Sequence, residues 1–164
     1  MGHTFSESSQ KQLDTLHPDL QLIMLETISR CEVDFSLTEG YRSPEKQFDY
    51  YKRGRKLDNN DRWVVVNRRN IITNVDGYRI VGKHNHYPSI AVDIAVYVPG
   101  KPKLTYDLSH LSYVAGCVMR IAEQLYSQGK ITHKVRWGGD WNANGDFSDT
   151  TLPDKPHFEI YKPE

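Results

Sequence analysis

The chain has no excess charge of either sign: 21 Lys+Arg stand against 21 Asp+Glu over 164 residues, with seven His uncharged. That removes the usual electrostatic footprint of a nucleic-acid binder, and no nucleic-acid partner is expected. A local stripe of Lys52, Arg53, Arg55, Lys56, Arg62, Arg68 and Arg69 reads as a solvated loop face. No run approaches the roughly 18 apolar residues needed to cross a bilayer, and the opening segment MGHTFSESSQKQ lacks the basic-then-apolar order of a signal peptide. A soluble protein made in the cytoplasm, with no stable membrane association, is expected. Only two cysteines, Cys31 and Cys117, are present, in a chain large enough to need no disulfide framework; buried free thiols are expected. Apolar residues are also sparse. With tyrosine exchanged for glycine they make up about 39%, below the roughly 45–50% of an average domain, which points to a polar, loop-rich fold. The length suits one domain spanning 1–164 and a monomer.

What is present divides into helical and extended pieces. Leu13 and Leu16 belong to a first short helix, and Pro18 restarts the chain at a helix N1 position. Leu20, Ile23, Met24, Thr27 and Ile28 then recur at helical spacing. Alternation over 33–38 predicts a strand running into Gly40, and Ser43-Pro44-Glu45 reads as cap, N1 proline and first-turn acid of a helix through Tyr51. Residues 54–82 are a polar excursion with β-prone pieces at 63–66 and 71–73 and a turn at Asp76-Gly77, which suggests a hairpin-like insertion. Residues 90–97 form a stronger strand. A long helix is predicted over 107–128, and 135–137 and 158–161 supply two further strands. Helices mixed with non-consecutive strands predict an α+β domain, a small antiparallel sheet with helices packed on it.

The residues that carry chemistry lie far apart in the chain. Asp93 sits between Val92 and Ile94, a segment too apolar for a solitary charge, with His86 seven residues before it. A buried carboxylate needs a cation, a hydrogen-bond cage or a proton. Near the C-terminus, Asp154 lies three residues before His157, and Glu159 follows on the same strand face as His157. Two imidazoles and one carboxylate, with a fourth position left for water, form a catalytic zinc set. His84 shares a strand face with His86 and competes with it as ligand, although it lies nine residues from Asp93. Sequence alone does not bring these segments together.

The segments Gly40-Tyr41-Arg42-Ser43, Ile72-Thr73-Asn74, His86 to Asp93, Arg136-Trp137-Gly138-Gly139-Asp140-Trp141-Asn142 and Asp154 to Phe158 occur in the order found in one enzyme family. The chain resembles the D-alanyl-D-alanine carboxypeptidase-like zinc peptidases, of the hedgehog/D-Ala-D-Ala metallopeptidase fold, and most closely the L-alanyl-D-glutamate peptidases used as phage endolysins. Two positions depart from the family motif, His84 replacing a serine and Ser89 a glycine. The resemblance implies zinc in a cleft on the sheet, held by His86, Asp93 and His157. It implies Asp154 as general base, Arg42 on the scissile carbonyl and Glu159 orienting a ligand, with His84 as the alternative ligand.

It further implies hydrolysis of the L-alanyl-D-glutamate bond in the peptidoglycan stem peptide. The enzyme would wait in the host cytoplasm until its release to the wall. A D-Ala-D-Ala carboxypeptidase and an inactive wall-binding module are the alternative readings of the same motifs. Separately, Asp140, Asn142, Asn144 and Asp146 alternate with glycine at the sixth position, as a calcium loop begins. Its twelfth position is Thr151 rather than glutamate, so a calcium site would need another carboxylate, with Asp149 the nearest choice. The other reading is a turn rich in Asx caps.

Overall fold

The computed structural model describes residues 2–164. Helices α1 (Glu7–Leu13), α2 (Pro18–Arg30), α3 (Pro44–Lys52) and α4 (Leu108–Ser127) accompany strands β1 (Phe35–Glu39), β2 (Arg55–Leu57), β3 (Trp63–Val65), β4 (Ala91–Val96), β5 (Lys134–Trp137) and β6 (His157–Tyr161). β1, β4, β6 and β5 form one antiparallel sheet in that order, and β2 pairs with β3 as a separate hairpin. The α+β expectation and the hairpin within the insertion hold. Residues 71–73 are not a strand, however. Ile72 is exposed with no partner edge, and the chain there runs between 3₁₀ turns at Arg68–Asn70 and Lys83–Asn85.

The sheet has two chemically different faces, set by the period-2 alternation of each strand. Val92, Ile94 and Val96 of β4 and Phe158 and Ile160 of β6 point to one side. There they meet Leu20, Ile23, Met24 and Ile28 of α2 and Leu111, Val114, Val118 and Leu125 of α4. Burying each large side chain of this layer contributes about 1.5–3 kcal/mol, so the helices are held by packing rather than by propensity. The opposite face carries Asp93, His157 and Glu159. Both cysteines are free thiols with their Sγ atoms 3.3 Å apart: Cys31 is buried in the hydrophobic layer, whereas Cys117 is only half-buried against it, and burial pushes the Cys31 thiol up to about 12.

β1 is an edge strand, and its exit is covered by α1 and the turn that follows. Ser9 Oγ accepts the Leu37 amide, Gln12 Oε1 the Gly40 amide and Thr15 Oγ1 the Tyr41 amide. These bonds close an edge that would otherwise be open to pairing, and they fix the path toward Arg42. Gly40 is required at this point, because a Cβ would lie 2.4 Å from Thr15 Oγ1 and 2.8 Å from Leu16 Cδ2.

A second tie joins α2 to β5. Asp19 Oδ2 accepts the Thr132 amide at 2.9 Å, the His133 amide at 3.1 Å and His133 Nδ1 at 2.7 Å. Burial alone would raise the Asp19 carboxyl, but the hydrogen bonds from His133 and from the two backbone amides hold it below the usual carboxylate range. A depressed carboxyl contributes stability that is present above its unfolded value near 3.9 and is lost as pH falls through the folded value. Asp19→Ala is therefore expected to lower unfolding free energy by about 1–3 kcal/mol at neutral pH in urea denaturation. The gap from wild type should narrow below about pH 4; a gap that stayed constant to pH 2 would contradict this role.

Candidate metal centre and catalytic cleft

Strand register builds the site. Asp93 on β4 pairs directly with His157 on β6 and, on its other side, with Glu39 on β1, so three polar side chains form a row across three adjacent strands. Glu39 enters that row because the register shifts between Leu37 and Glu39. Leu37 pairs with Ile94, so regular pairing would place Thr38 opposite Asp93; the bulge advances the strand by one residue and turns Glu39 onto the polar face.

The row is completed by a loop residue. His84 Nε2 lies 3.3 Å from His157 Nδ1 and 3.4 Å from Asp93 Oδ1, and His157 Nδ1 lies 3.1 Å from Asp93 Oδ1. Donors about 2.0–2.1 Å from a tetrahedral zinc are separated by about 3.3 Å, so the three atoms have the spacing of three corners of such a site. The second ring nitrogen of each histidine is also engaged. His84 Nδ1 is 2.7 Å from the Gly40 carbonyl and His157 Nε2 is 2.9 Å from Glu159 Oε2, which fixes the orientation that aims the remaining nitrogens at one point. The donor set fits a divalent zinc-like ion.

His86 is not part of this group. Its side chain is exposed, and His84 occupies the place that the seven-residue spacing assigned to His86. The cause is local. The Lys83–Asn85 turn is closed by Asn85, whose Oδ1 accepts the Gly82 amide while its Nδ2 donates to the Arg42 carbonyl. The Arg42 amide donates to the His84 carbonyl at 2.8 Å, so His84 is tethered beside the β1 exit and faces inward. Regular pairing of β4 starts only at Ala91, and the intervening loop absorbs the nine-residue separation from Asp93.

The charges follow from this packing. Burial would raise the Asp93 carboxyl, but hydrogen bonds with His157 and then His84 outweigh it and hold Asp93 far below the ordinary range. Burial would lower His157, but Asp93 and Glu159 raise it to about 9. Asp154 stands at the cleft mouth, where desolvation of its carboxyl and then the charge of Asp93 push it above the ordinary value, opposed by His157, His84 and Arg42. Its position depends on Gly138. The Gly138 and Asp154 backbones are bonded at 2.7 Å, and a Cβ on Gly138 would lie 2.0 Å from the Asp154 carbonyl oxygen.

Arg42 reaches the same cleft of about 350 Å³, which is also lined by Tyr50, Asp93, Asp154 and His157. Its Nη2 binds Glu39 Oε2 at 2.6 Å and its Nη1 donates to Gln47 Oε1 at 2.9 Å, while the buried Nε has no partner among the described residues. Lys46 holds the other Glu39 oxygen at 2.7 Å, and Gln47 is itself anchored to the Val75 carbonyl. Glu39, Lys46 and Gln47 escaped the sequence reading. The available signal was Glu39 three residues before Arg42, at the end of an apolar strand.

Two further groups resolve differently. His17, Asp19 and His133 also gather closely enough to hold a metal, but Asp19 Oδ2 already takes three donors and His17 Nδ1 caps α2 through the Asp19 amide. That cluster is a structural tie. In the exposed loop after β5, Asp140 accepts the Asn144 and Gly145 amides, Asn144 Oδ1 the Asp146 amide and Asp146 the Ser148 amide, a succession of Asx turns. Asp149 Oδ2 accepts from the side chains of Asn142 and Asn144. Trp137 is buried, with its indole N–H on the Lys155 carbonyl, and the Trp141 ring lies 5.6 Å from the His157 ring.

The chain has relatives of known sequence and structure. A solved structure, the L-Ala D-Glu endopeptidase ChiX of Serratia marcescens, superposes with a TM-score of 0.64 at 22% identity, covering 97% of this chain and 91% of that one. The L-alanyl-D-glutamate peptidase of Escherichia phage T5 is 28% identical over 149 residues, 91% of this chain and 89% of the relative. The family described as phage L-alanyl-D-glutamate peptidase matches residues 1–161, and the chain belongs to it.

Proposed function

We propose that the protein is a zinc-dependent endopeptidase that hydrolyses the L-alanyl-D-glutamate bond of the peptidoglycan stem peptide during release of phage from its host. The observation that carries this reading is the convergence of His84, Asp93 and His157 at zinc-ligand spacing inside a cleft that also holds Asp154 and Arg42. Family membership supplies the bond. Among the described residues no helix is long and apolar enough to cross a membrane, which suits an enzyme that accumulates in the host cytoplasm until the wall becomes accessible.

In this reading His84 Nε2, His157 Nδ1 and an Asp93 oxygen hold the ion. Zinc, when bound, supplies Lewis acidity that polarises a carbonyl and makes a water easier to deprotonate. Asp154 accepts the proton of the attacking water and returns it to the departing amine of D-glutamate as the C–N bond breaks. Asp154 borders the cleft beside Asp93 and His157, where both transfers would take place. The Arg42 guanidinium, held by Glu39 and Gln47, stabilises the negative charge that grows on the carbonyl oxygen.

Mass spectrometry of muropeptides digested with and without a chelator tests the reading: loss of the stem beyond alanine, only with metal, is expected. Release of terminal D-alanine alone would instead indicate a carboxypeptidase. Tight binding to peptidoglycan without any cleavage would indicate a wall-binding module.

Asp154→Ala should lower kcat by about 10²–10⁴-fold while zinc content stays at one per chain; loss of the metal would show that the ligand and base roles are misassigned. His84→Ala should weaken zinc binding by more than the roughly 10–100-fold typical of losing an outer partner, whereas His86→Ala should leave zinc content unchanged. The reverse result would return the ligand role to His86.

The loop bearing Asp140, Asn142, Asn144 and Asp146 is proposed to take calcium, with Asp149 as the added carboxylate. Support comes from the alternating oxygens and from the contacts of Asp149 with both asparagines. Millimolar calcium should raise the melting temperature of the zinc-loaded protein, and Asp140→Ala should cancel the rise. Absence of both heat and thermal shift in a calorimetric titration would remove calcium from the mechanism.

A further inference from the structure

Beside the catalytic cleft, across α3, lies a second cavity of about 460 Å³, walled by Phe48, Tyr51, Trp63 and Tyr78. It is made jointly by the helix and the 54–82 insertion, whose Ile72, Thr73, Val75 and Gly82 also border the catalytic cleft. Phe48 sits at its centre. It stacks on Tyr51 at 6.0 Å and meets Trp63 and Tyr78 edge-to-face at 5.6 Å and 5.8 Å; Arg55 lies over the Tyr51 ring and Lys52 over the Phe48 ring, which leaves Trp63 and Tyr78 as the rings without a cation over them. Tyr78 is 58% exposed, far more than a ring serving only to pack the hairpin needs to be. Trp137 and Trp141 direct their indole N–H groups to backbone carbonyls, whereas that of Trp63 has no protein partner among the described residues.

The rim separates groups already engaged from groups that are free. Arg62 is paired with Asp58, and Asp76 Oδ1 accepts the backbone amides of Tyr78, Arg79 and Ile80. The Arg79 guanidinium and the Asp61 carboxylate have no side-chain partner among the described residues, and both border the cavity. One free donor group and one free acceptor group beside several aromatic faces do not suit a ligand of single charge. They suit a neutral pyranose, whose C–H faces stack on rings and whose hydroxyl and acetamido groups both give and take hydrogen bonds.

Substrate connectivity places such a sugar nearby. The amine of the scissile L-alanine is amide-linked to the lactyl group of muramic acid, so at most about 7 Å of extended chain separates the cut from the glycan. The two cavities share walls. Gln47 and Tyr50 of α3 line the cleft, while the adjacent Phe48 and Tyr51 line the aromatic cavity; Val75 and Asp76 divide in the same way. A helix with its side chains is about 10–12 Å across, a distance that the first sugar and its neighbour together can span.

We propose that this cavity binds an N-acetylated hexose of the glycan strand carrying the scissile peptide. The inference rests on the peptidase reading and adds a substrate requirement to it: the enzyme favours glycan-linked stems over free peptide. The test is steady-state kinetics of the zinc-loaded protein on a stem tetrapeptide and on the same peptide linked to its disaccharide. Wild type should show a kcat/KM at least about tenfold higher on the glycosylated substrate, mainly through KM. Tyr78→Ala, at an exposed position, and Trp63→Ala should each reduce that preference by about 3- to 10-fold, the scale of a lost aromatic contact. A wild-type preference near unity, or variants that keep the wild-type ratio, would overturn the sugar site while leaving the peptidase reading intact. Failure of wild type to cut either substrate would overturn both.

Discussion

The structure depends on one register: β4 lies between β1 and β6 so that Asp93 faces Glu39 on one side and His157 on the other. A sheet whose far face is buried against α2 and α4 cannot slip by one residue without turning Val92, Ile94 and Phe158 outward. The hydrophobic layer therefore fixes the polar one. The carboxylate and imidazole are aligned by the same packing that stabilises the domain, and the only irregularity needed is the bulge that brings Glu39 into the row.

Around that row each charged group has a partner with a defined task. Glu159 turns the His157 ring, the Gly40 carbonyl turns the His84 ring, and Glu39 with Gln47 holds the Arg42 guanidinium. Gly40 links these functions, since its close approach to Thr15 and Leu16 sets the path of the chain that carries both the carbonyl and Arg42. The glycine pair after β5 plays a matching part on the other side, where the approach of Gly138 to Asp154 holds the proposed base above the ligands.

Much of this was legible before folding. Periodicity located α2 and α4, alternation over 33–38 located β1, and the separation of His157 and Glu159 by two residues placed them on one face. The choice between His84 and His86 was not legible. The seven-residue spacing of the family motif favoured His86, but the turn closed by the Asn85 side chain and the late start of β4 at Ala91 bring His84 inward, and neither depends on periodicity. Glu39 was hidden for a related reason, because a bulge reverses the face that alternation assigns. Residues 71–73 have strand composition without a strand partner, and composition cannot supply an edge.

Neutral overall charge withholds long-range attraction to an anionic wall, so recognition rests on the cleft and on what the insertion adds beside it. Zinc K-edge X-ray absorption on the zinc-loaded protein tests the central register claim most directly. The strand register predicts a first shell of two imidazoles and one carboxylate oxygen at about 2.0–2.2 Å, with one imidazole contribution lost in His84→Ala and retained in His86→Ala. A shell that loses an imidazole only when His86 is replaced, or that contains no carboxylate from Asp93, would contradict it.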